Sequence, residues 1–186
     1  MSLEQIRDSL PDYARDIRLN LGSVLTPQGA PSLTEKQIAS IALASAIAAR
    51  NVEFARAVGI WARGQLDETS VMGAKAAAAI MGMNNVYYRF LHLVEDEEYG
   101  KLPARLRMNV IASPGIDRLD FELISLAVSA VNGCGLCITS HEHKLREDGV
   151  AREAVQSTVR IAAVIHAAAG VHEYERFAAQ DLDQAA

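Results

Sequence analysis

Residues 118–149 read RLDFELISLAVSAVNGCGLCITSHEHKLREDG, and the punctuation inside this stretch decides the fold. From Leu123 to Ser140 it carries no charge, which by hydropathy alone resembles part of a membrane span. Ser125, Ser129 and Thr139 interrupt the apolar run, however, and Asn132-Gly133 at its middle is a turn signal. The stretch therefore reads as two helices, 118–131 and 134–148, whose buried ends meet at a turn, with Gly133 and Gly149 bracketing the second.

Working outward, Pro11, Pro27, Pro31, Pro103 and Pro114 leave two long tracts free to be helical, 32–102 and 115–186, with Pro103 at the very edge of the first. Both are rich in Ala, Leu, Glu, Arg and Met, and neither shows the alternating Val/Ile/Thr runs of strands. An all-α fold follows. Helices are expected near 2–10, 12–20, 34–50, 52–64, 69–82, 84–97, 103–111, 118–131, 134–148, 151–168 and 170–181. Ser32 or Thr34, and Asp67 or Thr69, are the expected N-caps.

A chain of 186 residues suits one domain, spanning 1–186, and buries roughly 70% of its unfolded surface. A shift of 84 residues lays Ser45-Ala46-Ile47 over Ser129-Ala130-Val131, and Ala78-Ala79-Ile80-Met81 over Ala162-Ala163-Val164-Ile165. This suggests an internal repeat of 33–100 in 117–184. Arg50, Glu53 and Ala57 stand where the second copy has Cys134, Cys137 and His141, so only that copy carries the candidate chemistry.

The net charge is −5, and no stretch concentrates Lys and Arg, which argues against nucleic-acid binding. Glu4, Asp8, Asp12 and Asp16 contradict the layout of a signal peptide, so a cytoplasmic protein with no membrane association is expected. Two cysteines three positions apart cannot staple distant parts of the chain.

They can do chemistry. On a helix starting near Cys134, turning about 100° per residue, Cys134, Cys137 and His141 share one narrow face, while His143 and Leu136 project away. An i, i+3 pair has its Cα atoms roughly 5 Å apart, within reach of a disulfide, and the helix N-terminus favours thiolate. If the Asn132-Gly133 turn folds the preceding helix back, Glu122 can reach His141 and hold its tautomer, forming a Glu, His, Cys relay. Rival readings of the same residues are a zinc half-site completed by His141 and Glu122, or two inert buried thiols beside a surface acid. His92, His166 and His172 show no such constellation and read as core or surface residues.

The order Glu122, eleven residues, Cys134, two, Cys137, three, His141 resembles the signature of the alkylhydroperoxidase AhpD family within the carboxymuconolactone decarboxylase-like fold. The likeness extends through PDYARDIRLNL (11–21), AAAIMGMNNVYYR (77–89), LRMNVIASPGI (106–116) and SAVNGC (129–134). It departs at Leu136, where family members carry a second histidine between the cysteines. The resemblance implies an antioxidant enzyme that reduces alkyl hydroperoxides. Cys137 would be the peroxidatic residue passing through a sulfenic acid, and Cys134 the resolving thiol and proton donor that closes the disulfide. It implies re-reduction by a dihydrolipoyl group on a partner acyltransferase, itself recharged by dihydrolipoamide dehydrogenase. It further implies regeneration of an AhpC-type peroxiredoxin, a homotrimer, and no metal or bound cofactor. A carboxymuconolactone decarboxylase-like enzyme and a non-catalytic helical oligomer module are the alternatives.

Overall fold

The structure, a computed structural model, describes the backbone of residues 1–184 and side chains through Ala178. Among the described residues it is all helix, turn and loop. A short 3-10 turn, Asp12–Ala14, follows α1 (Leu3–Ser9) and leads into α2 (Arg15–Val24). The main body is α3 (Glu35–Ala48), α4 (Val52–Ala62), α5 (Glu68–Leu93), α6 (Glu97–Lys101), α7 (Asn109–Ala112), α8 (Arg118–Val131), α9 (Gly135–Glu147) and α10 (Arg152–Gln184).

Helix segments buried on every side lie at the centre of a bundle, and two segments have that character. Every residue from Ile38 to Ala46 on α3, and from Phe121 to Ser129 on α8, is buried. The long helices α5 and α10 each pack against both of them, α9 folds back on α8 and α5, and α2 lies along α10. Within α10, Arg152–Ala178 is long and apolar enough to cross a membrane, but half of its most apolar window is buried inside the protein.

Local chemistry sets the helix ends. Thr34 begins α3 with a capping box, its hydroxyl accepting from the Gln37 N–H while the Gln37 side chain accepts from the Thr34 N–H. Asp67 caps α5 through the Ser70 N–H and also accepts from its hydroxyl, interactions that hold the carboxyl below its ordinary pKa. At the ends of α8 and α9, Gly133 and Gly149 take φ values of +66° and +83°, where a Cβ is unfavourable. The expected turn between α8 and α9 is therefore present.

Three expected boundaries are corrected. The breaks near 83 and 169 do not occur: α5 runs unbroken through Gly82 to Asn85, and α10 through Gly170. A helical glycine costs only about 1 kcal/mol against Ala, and packing on α3 and α8 outweighs it. Of the helix expected at 103–111 only the end forms, in α7, while residues 103–108 are irregular chain between α6 and α7. Pro103 removes an N–H donor and Arg105 takes φ = +53°, and neither flanking helix contains a buried residue. Helices α3, α4 and α5 start at 35, 52 and 68, and α8, α9 and α10 at 118, 135 and 152, so the trio recurs at a spacing of 83 or 84 residues. This backbone correspondence supports the proposal of a duplication.

Candidate functional site

The α8–α9 turn delivers both cysteines. After Gly133 the backbone N–H of Cys134 donates to the Ser129 carbonyl at 3.1 Å, closing α8, and Cys134 itself becomes the N-cap of α9. Its φ and ψ of −91° and 92° are non-helical. Its Sγ lies 3.4 Å from the Cys137 N–H, which donates to it. The two sulfurs are joined in a disulfide, with Cα atoms 5.3 Å apart. In the reduced state, unpaired N–H groups of the first turn of α9 would face these sulfurs and favour thiolate.

Burial separates the two: Cys134 is 0% exposed, whereas Cys137 is 7% exposed and borders an open cavity of about 560 Å³. Met81, Tyr88, Met108 and Ile111 form its apolar wall, and Glu122 and His141 border it as well. His141 follows Cys137 by one helical turn, and its Nδ1 lies 2.7 Å from Oε2 of Glu122, which arrives from α8. Both side chains are largely buried. A carboxylate can only accept, so Nδ1 carries the hydrogen and Nε2 is left as the ring's acceptor. A buried acid needs a partner of this kind, and this pairing supplies it.

The structure brings Glu122, Cys134, Cys137 and His141 into one locality. Leu136 is corrected: it does not turn away but borders the same cavity, 42% exposed. Because Cys134 is a cap and not a helical residue, a helical wheel counted from it misplaces Leu136. His143 is exposed, as are His92 and His166, while His172 is buried elsewhere, tilted against Phe54 and 3.6 Å from Glu53. Lys144, also at the cavity, pairs with Asp148 at 2.8 Å, a contact that raises its pKa.

Sequence reasoning missed two residues of α5, one helical turn apart. Asn85 is fully buried; its Nδ2 donates to the Ser129 hydroxyl and its Oδ1 accepts from Asn132 Nδ2, both at 2.9 Å. Arg89 adds a bond from its guanidinium to the Asn132 carbonyl at 2.7 Å. These bonds pin the turn that carries Cys134 to α5, and the only hint in the sequence was a polar Asn-Asn pair inside an apolar helix. Asn85→Leu should lower stability by about 1–3 kcal/mol, because Ser129 and Asn132 would lose their partner in a buried site. Urea unfolding with an unchanged m-value would measure this, and a midpoint equal to wild type would show that the network does not hold the turn.

No group of three or more His, Cys, Asp or Glu side chains placed to hold a metal occurs among the described residues. An all-helical body presenting a CxxC disulfide at a helix start, beside a buried His–Glu pair, defines a class. A profile of the Carboxymuconolactone decarboxylase family matches residues 97–179, a span that contains all four site residues. Full-length relatives narrow the class. The chain is 54% identical over 175 residues to a protein named alkyl hydroperoxide reductase AhpD from Rhodospirillum centenum, covering 94% of this chain and 92% of that protein. A relative of the same name from Rhizorhabdus wittichii is 54% identical over 172 residues, covering 92% and 98%. Another, from Brucella abortus, is 50% identical over 169 residues, covering 91% and 95%. The chain belongs to the AhpD family.

Proposed function

We propose that the protein is an antioxidant alkyl hydroperoxidase that cycles through the Cys134–Cys137 disulfide. The observation carrying this reading is the disulfide opening, at Cys137, onto the cavity that His141 and Glu122 also border. Cavity access supports Cys137 as the peroxidatic residue, since Cys134 is sealed beneath it.

In the proposed cycle, His141 Nε2 takes the Cys137 proton, and the thiolate attacks the terminal oxygen of a hydroperoxide, ROOH. The O–O bond breaks, Cys137 becomes a sulfenic acid, and the leaving alkoxide takes the proton from His141 to depart as ROH. Cys134 then attacks the Cys137 sulfur. The S–O bond breaks, hydroxide leaves with the Cys134 proton as water, and the disulfide forms. Glu122 orients the imidazole and stabilises its cationic form while it holds the Cys137 proton.

The cycle closes when an external dithiol reduces the disulfide by exchange. A dihydrolipoyl group on a partner acyltransferase, recharged by dihydrolipoamide dehydrogenase, is the proposed donor. An AhpC-type peroxiredoxin is the proposed protein substrate of the reduced form. Exposed Val86, Phe90 and Leu93 on α5, with Tyr99 and Leu102 beyond it, provide apolar surface that supports a homotrimer. A cytoplasmic location suits a dithiol that must be returned to the reduced state.

The test has two readouts. Reduced protein treated with one equivalent of cumene hydroperoxide should lose two hydrogens within the peptide bearing both cysteines, and dihydrolipoamide should sustain turnover. Intermolecular dimers alone, or sulfonic acid at Cys134 without the internal disulfide, would overturn the reading.

A further inference from the structure

The geometry points to Asn84 as a substrate-binding residue whose carboxamide holds the hydroperoxide group beside Cys137. This rests on the peroxidase reading of the site and adds a residue to it. Asn84 is 4% exposed, and its side chain borders the cavity together with Cys137 and His141. Its Oδ1 is buried without a hydrogen-bond partner.

The neighbouring residues sharpen the point. Asn85, one position along, has both ends of its carboxamide engaged by Ser129 and Asn132. Around the cavity, Glu122 and His141 engage each other, and Lys144 engages Asp148. Asn84 is left as a buried amide in the wall with an unmatched acceptor. Such a group weakens a fold unless something else completes its hydrogen bonding.

A hydroperoxide has the matching chemistry: an O–H donor and two oxygen acceptors at the end of an apolar group. Met81, Tyr88, Met108 and Ile111 would surround the apolar group, which turns the –OOH end toward Asn84, His141 and Cys137. By rotating about its last side-chain bond, the carboxamide presents either an acceptor to the O–H or a donor to the oxygen that leaves. It thereby fixes the terminal oxygen for in-line attack by the thiolate, without taking part in proton transfer.

A structural asparagine and a substrate-binding one predict opposite results for Asn84→Leu, which keeps the same branched arrangement of side-chain heavy atoms and has no polar atoms. If Asn84 binds substrate, removing an unpaired buried amide leaves the thermal midpoint equal or higher. At the same time, the second-order rate of oxidation of the pre-reduced protein by cumene hydroperoxide should fall about 10- to 100-fold. Alkylation of Cys137 by neutral iodoacetamide should keep its rate, because the thiolate itself is untouched. A rate within twofold of wild type would overturn the proposal, as would a lower midpoint with a matching loss in both reactions. In either case, an active wild type would leave the peroxidase reading standing. A wild-type protein that consumes no hydroperoxide would instead overturn that reading and this proposal with it.

Discussion

Cys137→Ser should reduce hydroperoxide consumption by about 10³-fold or more, to the uncatalysed background, whereas Cys134→Ser should allow one oxidation per chain and then stop. The nucleophile must be a thiolate, and a serine hydroxyl at the start of α9 does not ionise near neutral pH. Cys137 borders the cavity and Cys134 is sealed beneath it, so only Cys137 meets an incoming peroxide without movement of the turn. In Cys134→Ser the sulfenic acid then lacks the thiol whose Cα stands 5.3 Å away in the wild type. A dimedone-type reagent should label Cys137 in that variant, with the mass located by peptide sequencing. A label on Cys134 in Cys137→Ser, with activity retained there, would reverse the assignment.

The parts of this arrangement that could be read from the chain were those set by local chemistry. Gly133 and Gly149 both take positive φ, and the expected limits of α8 and α9 fall within one residue of those observed. Spacing alone put Cys134, Cys137 and His141 on neighbouring positions of one helix start. What escaped depended on partners distant in sequence. Gly82 and Asn84 look like a helix break until α5 is seen held against α3 and α8, with Asn85 bonded to Ser129 across 44 positions. Pro103 and the positive φ of Arg105 keep residues 103–108 out of the helix expected at 103–111, of which only the end forms, in α7. The cavity was not legible either, because its wall is drawn from α5, the 108–111 segment, α8 and α9 at once. The same separation hides the difference between Asn84 and Asn85, identical residues side by side whose environments differ only after folding.

Glu122 and His141 should behave as one proton-handling unit. The 2.7 Å contact fixes the imidazole with Nδ1–H toward the carboxylate, so in the proposed cycle Nε2 is the atom that would exchange protons with Cys137 and the leaving oxygen. Deleting either member breaks the same function: without His141 there is no base, and without the Glu122 charge the ring loses its tautomer and its cation loses its counter-charge. General acid–base groups contribute about 10²–10⁴-fold, so His141→Phe and Glu122→Gln should each lower the rate of oxidation of the reduced protein within that range. Residues that act together lose non-additively, and the double variant should be little worse than the more damaging single one. The pH dependence of Cys137 alkylation supplies an independent readout. Removing Glu122 destabilises the imidazolium that pairs with the thiolate, so the thiolate fraction at neutral pH should fall and the alkylation profile should move to higher pH. Strictly multiplicative losses across the four proteins, or an alkylation profile unchanged in Glu122→Gln, would show that the carboxylate only fills space beside the ring and that His141 works alone.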